Sequence, residues 1–420
     1  MIWNTSQTRL IDGFGPLPVI RPESVAEVQE IVRQAAARGE AVYPVGGGTL
    51  LNLGWSPTRP GVAVDLTGLS QVVDYPARDM TITVQAGITL EKLQSLLAAE
   101  RQRLPVDVPL PGRSSLGGAL AANVSGPRRF GFGTFRDYVI GISVVNDRGE
   151  VIKAGGRVVK NVAGYDLCKL YVGSLGTLGI IVQVTLKVRP VPEASVLLAV
   201  PVSGQKLAEA LDRIHASRTR PCAIELLSPA TADRMGFSTR DWLLLIGYED
   251  NRAAVAWQVE QLARELGEIS LAANRIWRDG DSQEIWAQLT DWPLGGDAQI
   301  VCKASVLPSR TASFCCLTAA VIPDAEILVH AGSGIVLGRL RDMATASEVL
   351  LRLRNEVKTC GGSVILLRCP PELKPSLDVW GEAHEAWPLM AEIKAKLDPA
   401  DLFNPGRFVF KPPGSSPSPR

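Results

Sequence analysis

Glycine clusters set inside apolar sequence restrict this chain more than any other feature. One cluster follows the short β-like run Ala41–Val45 and reads Gly46-Gly47-Gly48-Thr49-Leu50. Two more lie between Pro109 and Pro190: Ser114-Ser115-Leu116-Gly117-Gly118, and Gly176-Thr177-Leu178-Gly179-Ile180-Ile181. Glycine at this density usually means that something large comes close to the backbone. Between the second and third clusters, Ile140–Ile152 alternates and turns at Asp147-Arg148-Gly149, the pattern of a hairpin.

Each cluster has its own chemistry. A strand entering three glycines forms a backbone nest, in which consecutive N–H groups can face a phosphate. Ser114–Gly118 precedes Ala119–Asn123, a helix start whose N-terminus favours an anion. The third cluster opens a strand over Ile180–Val188. Three such loops point to one dinucleotide lying across them. Neither G-x-G-x-x-G nor G-x-x-x-x-G-K-[ST] occurs, which disfavours a nicotinamide-type fold or a nucleotide kinase.

Elsewhere periodicity sets the elements. Val25, Val28, Ile31, Val32 and Ala35 have helical spacing, with Pro22 just before and Gly39 just after. Val62–Leu66 and Thr81–Gln85 read as strands, and Leu90–Ala99 as an amphipathic helix. Arg189-Pro190-Val191-Pro192 breaks the pattern and marks a boundary. Beyond it, alternating runs (Val196–Val200, Trp242–Tyr248, Gln299–Val306, Glu326–Ala331) interleave with helices (Gln205–Ser217, Ala253–Leu266, Ala346–Cys360). An antiparallel sheet covered by helices is expected there. Leu389–Leu397 is a further helix, stopped at Asp398-Pro399.

Composition removes whole classes of function. A net charge of +1 over 420 residues gives no field for nucleic acid or an anionic membrane. No window approaches the ~20 uninterrupted apolar residues of a membrane-spanning helix. Met1-Ile2-Trp3-Asn4 lacks the basic-then-apolar order of a signal peptide, so a cytoplasmic location is expected. The 7 cysteines form no C-x-x-C pair, which disfavours a zinc knuckle or an iron–sulfur cluster in this chain.

Taken together, Gly126-Pro127-Arg128-Arg129, Arg136-Asp137, Lys160-Asn161-Val162-Ala163-Gly164-Tyr165-Asp166-Leu167 and Asn404-Pro405-Gly406-Arg407 resemble the vanillyl-alcohol oxidase/p-cresol methylhydroxylase family of flavoproteins. Within it they resemble most the E-type subunits of bacterial glycolate oxidases. The resemblance is dense over the first half of the chain, thin over 191–369, and returns in the last fifty residues or so. It implies an α+β protein with a two-lobed, PCMH-type FAD-binding domain over 1–190. An α+β cap would cover 191–370, and a segment over 371–411 would return to the flavin domain. The Pro/Ser-rich residues 412–420 are expected to be a disordered tail.

The resemblance also implies FAD as cofactor, with Gly46, Gly47, Gly48, Thr49, Leu50, Ser114, Ser115, Gly117 and Gly118 at the diphosphate and ring. It puts Asn123, Gly133 and Asp137 near the cofactor, and Gly176, Thr177, Gly179, Ile180 and Ile181 against the adenine and ribityl portions. Thr49 and Ser114-Ser115 stand where covalent members carry His or Cys, so the FAD is expected to be non-covalent. The implied setting is a complex with a catalytic D-type flavoprotein and an iron–sulfur subunit that oxidises glycolate or another small 2-hydroxy acid.

Three departures separate the chain from catalytic members. His330-Ala331-Gly332-Ser333 keeps one histidine of the metal strand, but Ile335 and Leu337 replace polar positions. Leu175 stands where those members have Glu, and His384 is only a near imitation of their second histidine motif. No metal ligand is therefore expected, and the catalytic residues stay unassigned. A stand-alone dehydrogenase that clamps its substrate with Arg339, Arg368 or Arg407 stays open, as does a flavin-free scaffold.

Overall fold

The computed structural model describes residue 3 and residues 5–156, 165–322 and 325–409. Lys160–Gly164 and the tail over 412–420 lie outside the described residues.

The chain separates into two compact units, one gathering Met1–Val124, Thr134–Val191 and Ala383–Arg420, the other Ser125–Gly133 and Pro192–Glu382. The breaks fall at 191/192 and 382/383, against the expected 190/191 and 370/371. Residues 371–382 stay with the second unit because Leu377 and Val379 are buried there and Leu366 N donates to Val379 O at 2.8 Å. Ser125–Gly133 also joins the second unit, through Gly131 N to Cys222 O at 2.9 Å and Phe130 packed over Gly332. Gly133, expected near the cofactor, thus belongs to the other unit.

In the first unit the helix Val25–Arg38 starts where Ser24 Oγ accepts from Glu27 N and ends at a left-handed Gly39. It buries Val28, Ile31, Val32 and Ala35 against Val42, Val62, Val64 and Phe403. Ala41–Val45 and Phe14–Ile20 flank Gly61–Asp65 in parallel, with Thr8–Ile11 at the edge of this four-stranded sheet. A five-stranded antiparallel sheet runs in the order Val72–Asp74, Thr81–Gln85, Ile180–Lys187, Val139–Val145, Val151–Gly155. Its last two strands are the anticipated hairpin, tied by the Asn146 side chain to the amides of Arg148 and Glu150.

The second unit is one eight-stranded antiparallel sheet. Its order is Arg275–Arg278, Ala194–Val202, Trp242–Asp250, Ala223–Leu227, Glu326–His330, Ile335–Leu340, Ile300–Ser305, Ser363–Arg368. Ala223–Leu227 is buried at every position and does not alternate, so periodicity had no hold on it. Helices Leu207–His215, Arg252–Gly267 and Ala346–Thr359 fall where spacing put them. Among the described residues no helix is long and apolar enough to cross a membrane.

Candidate functional site

The first unit carries a groove of about 960 Å³, counting the solvent at its mouth. All three glycine loops line it, through Gly46, Gly47, Gly48, Thr49 and Leu50, then Ser115, Gly117 and Gly118, then Gly176, Gly179 and Ile181. Its floor is apolar, with Ile11, Leu53, Leu66 and Ala86.

The first loop is built by the approach of the second. A Cβ on Gly47 would overlap the Arg113 carbonyl, lying 2.6 Å from its carbon and 3.3 Å from Ser114 N. Thr49 Oγ1 and Ser114 Oγ are 3.2 Å apart, and Ser114 Oγ donates to Pro109 O at 2.6 Å. No described carbonyl accepts from the amides of Gly47, Gly48, Thr49 or Leu50. Consecutive unpaired amides over an apolar floor are what a diphosphate joined to flat rings requires, so the residues present fit FAD.

The second loop corrects an expectation. Ser115 caps the helix Leu116–Ala121 by accepting from Gly118 N. However, Leu116 N donates to Ile88 O at 2.8 Å and Gly117 N to Ala86 O at 2.7 Å. Its first amides are spent inside the protein, so this helix start offers no anion site of its own.

In the third loop Gly176 takes φ +64°, and a Cβ there would meet Asn404 Nδ2 at 3.0 Å. Strand alternation then sends Ile181 to the groove and Ile180 into the core beside Val42 and Phe403. Thr177 is buried, its hydroxyl donating to Ser174 O at 2.7 Å. Asn123 (φ +50°) ends a turn beside the groove without lining it. Asp137 caps its own short helix, accepting from Thr134 N at 2.7 Å. Ser114, Asn123, Gly133, Asp137, Thr177 and Ile180 are thus not among the groove-lining residues.

The C-terminal segment contributes two lining residues outside the expected set, Asn404 and Arg407. Asn404 Nδ2 donates to Leu175 O at 2.8 Å, on the third loop. Arg407 Nη2 donates to Leu51 O and Leu53 O at 2.6 and 2.9 Å, just past the first. Burial pulls the Arg407 guanidinium below its ordinary value, opposed by Asp12 with Oδ2 at 3.8 Å from Nη1. Lys394 adds a third tie, donating to Thr177 O at 2.9 Å. The motif Asn404-Pro405-Gly406-Arg407 was the available signal.

In the second unit His330 is buried, with Nδ1 2.7 Å from Glu225 Oε2. Ile335 and Leu337 are core residues, and among the described residues no group of three His, Cys, Asp or Glu could hold a metal ion. Arg339 is committed to Glu326 at 3.0 Å and to the Trp292 and Gly295 carbonyls; Arg368 donates to Pro293 O at 3.1 Å. Neither is available as a substrate clamp, and exposed His384 accepts from Ala386 N. Lys303, missed by sequence reading, lies opposite Leu337 and Ile365 with no described group accepting from its ammonium. Burial, and then Arg129 nearby, push its pKa down to about 8.

Residues 16–155 match the family described as FAD binding domain, and 381–408 match the C-terminal domain of FAD linked oxidases. The chain is 40% identical to the D-2-hydroxyglutarate dehydrogenase of Xanthomonas citri pv. viticola, over 94% of this chain and 89% of that protein. It is 29% identical to the glycolate oxidase subunit GlcE of Escherichia coli, over 83% of this chain and 87% of that one. A crystal structure of p-cresol methylhydroxylase with substrate bound superposes with a TM-score of 0.74 at 16% identity, covering 96% of this chain and 92% of that one.

Proposed function

The chain belongs to the FAD-linked oxidases with a PCMH-type FAD-binding domain, and from that premise we propose a subunit role in 2-hydroxy-acid oxidation. It is an FAD-dependent oxidoreductase. The proposed setting is a glycolate oxidase-like complex, beside a catalytic D-type flavoprotein and an iron–sulfur subunit. The observation that carries this reading is His330, whose imidazole is spent on Glu225 while core residues fill the positions of further ligands. Similarity to a glycolate oxidase subunit supports it.

FAD, when bound, would take up electrons released in 2-hydroxy-acid oxidation and pass them on. The chain's part begins with the amides of Gly47–Leu50, which hold the diphosphate. Leu53, Leu66 and Ala86 keep water from the floor, and Asn404 and Arg407 fix the loops on either side. Thr49, Ser114 and Ser115 offer no nucleophile that forms a stable link to the ring, so attachment is non-covalent. Acid precipitation should release FAD into the supernatant, and yellow colour that stays in the pellet refutes this point.

Lys303 favours a second reading, a stand-alone 2-hydroxy-acid dehydrogenase. A partly buried ammonium beside Arg129 gives a positive site suited to a substrate carboxylate. The full-length similarity to a D-2-hydroxyglutarate dehydrogenase supports it too. Anaerobic stopped flow with glycolate, D-lactate and D-2-hydroxyglutarate separates the two. In the subunit reading the isolated chain loses flavin absorbance slowly, since missing general-base assistance alone costs ~10²–10⁴-fold, and reduction becomes fast with the partner present. Rapid, saturable reduction of the isolated chain transfers the assignment. That rate should then fall in Lys303→Met and fade as pH rises through about 8, where the ammonium loses its proton.

A further inference from the structure

We propose that Arg9 is a cofactor-binding residue whose guanidinium neutralises the FAD diphosphate from the side of the first glycine loop. Arg9 sits on the edge strand Thr8–Ile11, opposite Leu17. Two residues on, past a break in register, Ile11 lines the groove. Gly48 is left-handed at φ +70°, and a Cβ on it would lie 3.6 Å from Arg9 Nη1. The guanidinium therefore rests against the same loop whose amides are unpaired.

Arg9 is half-buried, and no described residue gives it a hydrogen bond or an ion pair. A cation beside unpaired amides and without a partner of its own suits an anion from outside the chain. The guanidinium that lines the groove, Arg407, is turned to the Leu51 and Leu53 carbonyls and to Asp12. A dinucleotide diphosphate carries two negative charges, whereas backbone amides supply only partial positive ones. Arg9 is placed to supply the missing full charge.

This inference rests on assigning the Gly46–Leu50 loop to the diphosphate. The test is titration of apoprotein with FAD, followed by flavin fluorescence at several salt concentrations, for wild type, Arg9→Gln, Arg9→Lys and Gly47→Val. Circular dichroism of each apoprotein checks folding. Arg9→Gln should weaken FAD about 10-fold at low salt, the size of one charge-assisted contact at a half-exposed site. The gap should narrow as salt rises, because screening removes the wild-type advantage. Arg9→Lys should recover most of the affinity.

A wild-type dissociation constant in Arg9→Gln overturns the proposal, as does a loss that ignores salt, which would indicate packing instead of charge. If Gly47→Val binds FAD normally, the loop assignment itself fails and takes Arg9 with it. If Gly47→Val fails to bind while Arg9→Gln is unaffected, only the role of Arg9 is lost.

Discussion

Gly47→Val should leave a folded chain that purifies without flavin, with FAD affinity reduced by at least ~100-fold, a loss of about 3 kcal/mol. The first added carbon falls on the Arg113 carbonyl, so the first and second loops must move apart. Backbone on both sides of the contact leaves no flexible side chain to yield. Once the loops separate, the Gly46–Leu50 segment loses its placement, and Thr49 loses its approach to Ser114. The second unit has its own core, including Trp277, Trp286 and Trp292, and should keep its near-ultraviolet circular dichroism. Absorbance at the flavin maximum per mole of chain reads the effect directly. Wild-type occupancy would show that the two loops part without cost to the groove.

That expectation shows what the sequence could and could not say. Glycine density correctly marked the loops that line the groove, because glycine is demanded wherever two backbones come close. It did not identify the second body. At Gly47 the crowding comes from Arg113 of the neighbouring loop, and only a folded chain places that carbonyl. The same limit explains Ser114–Gly118. A serine before a glycine-rich helix reads as an anion site, yet Ile88 and Ala86 carbonyls already occupy the amides.

Regular elements were more legible than irregular ones. Val25–Arg38 and Leu90–Ala99 carry caps and a clear apolar stripe, and both form where those signals put them. Ala223–Leu227 is buried on both faces and has no stripe to read. At Ile180 and Ile181 the strand was evident, but which side chain faces the groove depends on pairing with Val139–Val145 and its register shift. Arginine roles were least legible. Arg339, Arg368 and Arg407 looked equivalent in sequence, whereas the fold commits two to the second unit and puts one in the groove.

Arg407→Ala should be the most damaging single change outside the glycine loops. Its guanidinium is buried and its Nη2 donates to two carbonyls, fixing the chain just after the first loop. Removing it strips a donor from the Leu51 and Leu53 carbonyls and takes the guanidinium from beside the buried Asp12 carboxylate. Breaking one side of a buried charge pair typically costs ~3–5 kcal/mol. In a unit of this size that lowers the melting temperature of the apoprotein by roughly 6–20 °C. FAD affinity should fall with it, since the floor at Leu53 is no longer held. Arg407→Lys restores a charge near Asp12, but one ammonium cannot stand both at the Leu51 and Leu53 carbonyls, as Nη2 does, and beside Asp12, as Nη1 does, so it should recover only part of the stability. An Arg407→Ala protein that melts with wild type and binds FAD normally would mean that the C-terminal segment does not hold the groove, leaving Asn404 and Lys394 as incidental contacts.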